Sequence, residues 1–148
     1  MEAVQGEGLP VPIGPYSPAL RRGEWVFVSG QIAPRAGGAG AEAVKAQTRL
    51  ALEQVNALLQ AAGLGMSDVL RTTVYMTDLG LFAAMNEVYA QFFKPPFPAR
   101  PRWGWRPCPP EPWWRLTRLP VDAGENRVYT ILLRSSTRNH ANPDQQSR

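Results

Sequence analysis

Val69-Leu70-Arg71-Thr72-Thr73-Val74-Tyr75-Met76-Thr77-Asp78 is the stretch on which the fold turns. Its first eight residues are rich in β-branched and aromatic side chains, which suit a pleated, half-buried strand. Thr77 and Asp78 then supply capping oxygens. Phe82, Met85, Tyr89 and Phe92 follow at helical spacing. The sequence therefore predicts a strand over 69–76 that feeds a helix over about 79–93. Pro95, Pro96 and Pro98 stop that helix, because proline has no amide hydrogen to donate.

Upstream, Val44, Thr48, Ala51, Val55, Leu58 and Ala62 recur at spacings of four and three. One face of a helix over 42–62 is therefore apolar. Gly63 is placed to end it as a left-handed residue. Before that helix, Trp25-Val26-Phe27-Val28-Ser29 is a second β-rich run, and Tyr16 to Leu20 is a candidate short strand. Arg21 to Glu24 reads as the turn between them, so the pair predicts a hairpin. Gly30 sits at the strand end, where glycine often permits close backbone approach. Residues 34–40 read as a flexible loop, and residues 1–12 as a loose arm punctuated by Gly6, Gly8, Pro10 and Pro12.

The order strand, strand, helix, strand, helix predicts an α+β domain of split βαβ type. The expected architecture is a mixed sheet with two helices packed on one face. Three strands are thin cover for two helices, so the chain beyond Arg100 ought to deliver more. What it delivers instead is Trp103, Trp105, Trp113 and Trp114 among Pro101, Pro107, Pro109, Pro110 and Pro112. Proline is confined to sheet edges, so the C-terminal strands are expected to be lost or garbled.

Charge divides at the same point. The chain has 148 residues and a formal net charge of +4. Residues 1–100 carry equal numbers of acidic and basic side chains, while residues 101–148 carry eight arginines against Glu111, Asp122, Glu125 and Asp144. The basic balance thus belongs to the tail, which argues against a nucleic-acid groove in the domain. No apolar run reaches membrane-span length. The first residues have neither a basic start nor an apolar block. A single cysteine, Cys108, fits a reducing compartment. A cytoplasmic protein with no membrane partner is expected.

Six segments carry a resemblance. They are Ile13-Gly14-Pro15-Tyr16-Ser17-Pro18-Ala19, Phe27-Val28-Ser29-Gly30-Gln31-Ile32, Gln47-Thr48, Arg71-Thr72-Thr73-Val74-Tyr75, Met85-Asn86-Glu87-Val88-Tyr89 and Phe97-Pro98-Ala99-Arg100. In this order and spacing the chain resembles the RidA/YjgF family of imine deaminases over residues 9–100. The resemblance implies a chorismate-mutase-like fold and a homotrimer with active sites between subunits. It implies hydrolysis of 2-imino acids, tautomers of enamines, to 2-keto acids and ammonia, without metal or cofactor. Arg100 matches the family arginine that holds the substrate carboxylate. Tyr16, Gly30 and Asn86 match positions lining the same cleft.

In that family two further strands follow the arginine, and one carries a glutamate that orients the attacking water. Neither is visible after Arg100. Reading each codon one nucleotide earlier from Arg102 onward recovers them. Tryptophan has one codon, so Trp113-Trp114 forces valine, and Trp114-Arg115 allows glutamate. The shifted frame permits Val-Gly-Val-Ala-Ala-Leu-Pro-x-Gly-Ala-Leu-Val-Glu-Ile-Asp-Ala, two apolar strands about a glycine turn. One nucleotide deleted just after the Arg100 codon suffices. Residues 1–100 are thus expected to form a RidA-like domain, and 101–148 an aberrant, frameshifted and poorly ordered tail. Poor solubility and impaired deamination are expected of the chain as it stands.

Each candidate has a plainer reading. Residue chemistry alone would make Arg100 a solvated or structural arginine; with the resemblance, its planar fork suits a bidentate carboxylate clamp. Asn86 lies on the apolar side of its helix and needs a partner, in a site or in a structural hydrogen bond. Tyr16 is either a cleft residue or a half-buried aromatic, and Gly30 either lines the cleft or forms a bulge. Cys108 and His140 are too isolated to suggest a metal site or a nucleophilic pair. The alternative function is a non-catalytic or regulatory trimer that binds small carboxylates. RNA cleavage, sometimes ascribed to relatives, is disfavoured by the balanced charge of residues 1–100.

Overall fold

The hairpin forms where its residues direct. In the computed structural model, which describes residues 1–33, 40–76, 78–104, 127–129 and 132–134, β2 (Ala19–Arg22) pairs antiparallel with β3 (Trp25–Val28). Arg22 faces Trp25 across a loop of Gly23 and Glu24. Gly23 has φ 58°, the positive angle that two-residue hairpin loops demand. The strand begins at Ala19 rather than Tyr16, because Pro15 and Pro18 cannot donate to a ladder.

Residues 1–12 are not wholly loose. β1 (Glu2–Ala3) pairs with β2, and the Val4 amide donates to the Ala19 carbonyl at 2.9 Å. Val4 and Leu9 pack against the core. This arm satisfies an edge of β2 that would otherwise be bare.

Helix α1 (Ala41–Ala61) buries Val44, Gln47, Thr48, Ala51, Leu52, Val55, Leu58 and Leu59, the stripe its spacing predicts. It ends as expected at Gly63, with φ 71°. The Gly63 amide donates to Gln60 O at 2.9 Å and the Leu64 amide to Leu59 O at 2.8 Å. That is the Schellman arrangement, and Leu64 adds its apolar contact with the core. The Arg21 guanidinium donates to the Ala62 carbonyl.

After α1, a short 3-10 turn (Met66–Asp68) leads to β4 (Thr73–Met76). The parallel pairing already begins at Leu70, whose carbonyl accepts from the Ala99 amide at 2.9 Å. A second 3-10 turn (Leu79–Leu81) precedes α2 (Phe82–Phe92). Asp78 accepts from the Gly80 amide at 2.7 Å, the capping role expected of it. Thr77 lies outside the described residues. α2 buries Ala84, Met85, Val88 and Tyr89.

Among the described residues, three short strands lie beyond Arg100: β5 (Arg102–Gly104), β6 (Arg127–Tyr129) and β7 (Leu132–Arg134). They form two sheets with what precedes them, in the orders β1-β2-β3-β7 and β5-β4-β6. The first is antiparallel throughout. The second is mixed, with β5 parallel and β6 antiparallel to β4. The sequence reading expected these strands to be lost or garbled. The structure gives each of them three residues, enough for backbone pairing, which depends little on side-chain identity. The remainder of the expected aberrant tail lies outside the described residues.

One core joins these parts. Ala19, Val26 and Val28 of the hairpin, and Val74 and Met76 of β4, pack with the buried faces of both helices. Burial alternates along β3 and β4, as it does where helices cover one face only. Trp25 and Phe27 point to the other side and are exposed. On the outside, Lys45 to Glu87 at 2.8 Å and Arg49 to Gln91 at 2.9 Å tie α1 to α2.

Candidate functional site

β4, α2 and β5 form a strand–helix–strand unit whose two strands run parallel. Arg71 bridges Ala99, and Val74 pairs with Arg102. The same offset sets Arg100 beside Thr72. The Thr72 amide donates to the Ala99 carbonyl at 2.9 Å, which fixes the chain immediately before Arg100.

The helix above supplies what the guanidinium touches. Phe82, Met85, Asn86 and Tyr89 are three or four residues apart and share a face of α2. Arg100 Nη2 donates to Asn86 Oδ1 at 2.7 Å, and Nη1 reaches Met85 Sδ at 3.7 Å. The Arg100 Cζ lies 4.2 Å from the Tyr89 ring centroid and 5.3 Å from that of Phe82. Such a cation over an aromatic face is worth about 0.5–2 kcal/mol, depending on desolvation. The charge-assisted bond to Asn86 is worth roughly 1.5–3 kcal/mol. Arginine has five N–H donors. Among the described residues, the Asn86 and Met85 contacts engage two of them.

Tyr89 is 5% exposed and Thr72 is 1% exposed, and their hydroxyls are 2.7 Å apart. Burial pushes the Tyr89 phenol pKa up, while the Thr72 hydrogen bond and the Arg100 charge act in the opposite sense. The net effect is upward, so the ring under the guanidinium is a neutral phenol.

The other expected cleft residues stand in a separate group. Tyr16 is 46% exposed, and its hydroxyl accepts from the Ile13 amide at 3.4 Å. Its loop is stitched to the end of β3, where Ser29 Oγ donates to Ser17 O at 2.6 Å and the Ser29 amide to Pro18 O at 2.8 Å. Gly30 follows at once and is half-buried. Among the described residues, no hydrogen bond, ion pair or ring contact joins this group to Arg100. The structure thus brings Asn86 to Arg100, while the Tyr16 loop is tied to Ser29, the residue before Gly30.

Sequence reasoning named Asn86 and Arg100 but passed over Tyr89, whose ring lies under the arginine, and Thr72, which bonds that ring's hydroxyl and the carbonyl before Arg100. The signal for Tyr89 was present, one turn after Asn86 on the same face. The signal for Thr72 was not, because it depends on strand register. Arg115, Cys108 and His140 lie outside the described residues. Among those described, no three His, Cys, Asp or Glu side chains gather into a metal-sized group, and no helix is long and apolar enough to cross a membrane.

The sequence profile of the family described as Endoribonuclease L-PSP matches residues 7–110. A RutC family protein of Pyrococcus horikoshii is 46% identical over 101 residues, which cover 67% of this chain and 80% of that protein. TdcF of Escherichia coli K12, provisionally named as a reactive intermediate deaminase, is 46% identical over 92 residues, 61% of this chain and 70% of its own. The crystal structure of E. coli TdcF with bound serine superposes with a TM-score of 0.68 at 34% identity, covering 92% of this chain and all of that one. RidA from an Antarctic Psychrobacter gives 0.69 at 27% identity, covering 90% and 99% respectively.

Proposed function

This chain belongs to the Endoribonuclease L-PSP family, the RidA/YjgF family of its motifs, and from that premise we propose that its site is built for the hydrolytic deamination of 2-imino acids. The observation that carries this reading is the Arg100 guanidinium, bonded to Asn86 and set with its Cζ over the Tyr89 ring; a guanidinium has five donors, more than these contacts use. TdcF, named for reactive intermediates, has been crystallised with serine, itself a small α-carboxylate. That is the substrate class a lone, oriented guanidinium would hold.

The chemistry is simple in outline. Arg100 grips the carboxylate and so places the adjacent imine carbon. A water oxygen attacks that carbon, the C=N π electrons move to nitrogen, and a proton from the water follows. The resulting carbinolamine gives up its hydroxyl proton as its nitrogen gains one, the C–O electrons form the carbonyl, the C–N bond breaks, and the 2-keto acid and ammonia result. Positioning and one general base carry most of such a reaction, and no metal is called for. The base is the glutamate that the shifted reading frame would put in place of Arg115. In the chain as it stands, the clamp is present and the base is replaced, so binding outlasts turnover.

Tyr16 and Gly30 complete the site from a neighbouring protomer of a homotrimer. Two features support this: the separation of their group from Arg100 within one chain, and the exposed Trp25 and Phe27 on the face opposite the helices. The balanced charge of residues 1–100 and the single cysteine favour a cytoplasmic enzyme without a nucleic-acid partner.

The test uses 2-iminobutanoate generated in place by an amino acid oxidase, with ammonia and 2-oxobutanoate followed directly. The chain with its tail restored to the other frame should hydrolyse the imine well above the spontaneous rate, and Arg100→Ala should abolish that gain. Binding of 2-oxobutanoate by calorimetry without ammonia release from the restored chain would favour a non-catalytic carboxylate binder. No binding and no turnover would end the proposal.

A further inference from the structure

A planar guanidinium is fully oriented by one contact in its plane and one on its face. Asn86 supplies the first at 2.7 Å. The second comes from a ring that is itself fixed. Tyr89 is wedged beside Phe93, with ring centroids 4.5 Å apart, and its hydroxyl meets Thr72 Oγ1 at 2.7 Å in the buried interior. Thr72 also holds the other end of the assembly, since its amide binds the carbonyl of Ala99, next to Arg100. The contacts close a loop: Thr72 backbone to Ala99, Arg100 to the Tyr89 ring, Tyr89 hydroxyl back to the Thr72 side chain.

We propose that Tyr89 is a positioning residue for Arg100, and that the buried Thr72–Tyr89 hydroxyl pair sets the plane in which the guanidinium fork meets a carboxylate. This deepens the reading given above and rests on it for the identity of the ligand. It assigns no chemistry to either hydroxyl. A ring free to tilt would tilt the fork with it, and a fork out of plane offers one N–H to a carboxylate instead of two parallel ones. A merely structural tyrosine would fill the core equally well without its hydroxyl. The two roles therefore separate in Tyr89→Phe, which keeps the ring and removes the pin, and in Thr72→Val, which removes the pin from the other side at nearly constant volume.

The experiment uses the full chain and two readouts. The first is calorimetric affinity for 2-oxobutanoate. The second is the Arg100 Nε–H signal in nitrogen-15 spectra, assigned through Arg100→Lys, with its ring-current shift and order. Tyr89→Phe and Thr72→Val should each weaken binding about threefold, the scale of one modest hydrogen bond. The double variant should be no worse than either single, because both remove one interaction. Tyr89→Leu, which removes the aromatic face, should weaken binding about tenfold and collapse the ring-current shift. Circular dichroism establishes that each variant is folded.

Folded pin variants that keep both the affinity and the Arg100 signal of the parent chain would overturn the proposal. Additive effects in the double variant would do the same, since they would mean two separate contributions. Should the parent chain bind no 2-oxobutanoate, the carboxylate reading fails on its own. The Arg100 signal then decides the positioning role alone: loss of order in the pin variants sustains it, and unchanged order refutes it.

Discussion

Arg100→Lys is the substitution that most directly weighs the site. It keeps the positive charge and removes the plane. In the structure the guanidinium makes a bond to Asn86 at 2.7 Å, sets its Cζ 4.2 Å over the Tyr89 ring, and reaches Met85 Sδ at 3.7 Å. An ammonium is a compact point charge on a flexible stem, and has no face to stack. If it keeps Asn86 it loses Tyr89 and offers the ligand a single prong. The lost prong is one charge-assisted hydrogen bond, about 1.5–3 kcal/mol gross. The retained charge offsets part of that. A net loss of about 1.4 kcal/mol, or about tenfold in affinity, is expected. Arg100→Ala loses both prongs and the charge, and should cost about a hundredfold or more. Calorimetry with 2-oxobutanoate reads both variants, and circular dichroism guards against unfolding. If Arg100→Lys binds within about twofold of the parent, fork geometry is irrelevant and the clamp argument is wrong. If Arg100→Ala does so too, the carboxylate site is not at Arg100.

Other consequences are quicker to state. Gly63→Ala forces a β-carbon onto φ 71° with nothing within 4 Å to clash, so its cost is backbone strain alone, about 1–2 kcal/mol, visible as a lowered melting temperature. The Tyr89 phenol has its pKa raised in the fold. Its contribution to stability is thus complete below the unfolded value of about 10 and is lost as pH climbs through the higher folded value. Ultraviolet titration should find Tyr89 titrating late, and Arg100→Ala should move it later still, because the arginine charge acts to lower it. The nucleotides across codons 98–118, read one base earlier from Arg102, should encode two apolar strands with a glutamate. The chain restored to that frame should gain turnover with little change in 2-oxobutanoate affinity.

Much of the scaffold was legible because it is written locally. The α1 stripe, its stop at Gly63, the hairpin closed by Gly23 and the Asp78 cap each depend on residues within a few positions of one another. They came out as read, within a few residues at the ends. What the residues could not show depends on register. The Thr72–Arg100 proximity arises only when β5 lies parallel to β4 in one alignment, and no periodicity in either segment specifies that alignment. The pairing of Glu2–Ala3 with β2 was missed for a related reason. Glycine and proline mark a segment as irregular, but they do not reveal that a neighbouring strand edge needs a partner. Beyond Arg100, proline and tryptophan content argued against strands, yet short backbone pairing formed there, because a three-residue ladder asks little of side chains.

The candidate site was legible in a similarly divided way, and the division bears on function. Asn86, Tyr89 and Thr72 all lie within the thirty or so positions before Arg100, in one strand–helix–strand unit. Among the described residues, the side chains that touch the guanidinium therefore all precede the point where the chain changes character. On the proposed reading, the base that would activate water lies after it. A chain altered only beyond Arg100 can keep the grip and lose the chemistry, so affinity and turnover become independent observables, as they are when a residue acts in the transition state alone. On the proposed reading, a deaminase and a silent carboxylate binder would be the same clamp with two different tails. Grafting either tail onto residues 1–100 should change the rate of ammonia release while leaving 2-oxobutanoate affinity to Arg100 and the ring beneath it.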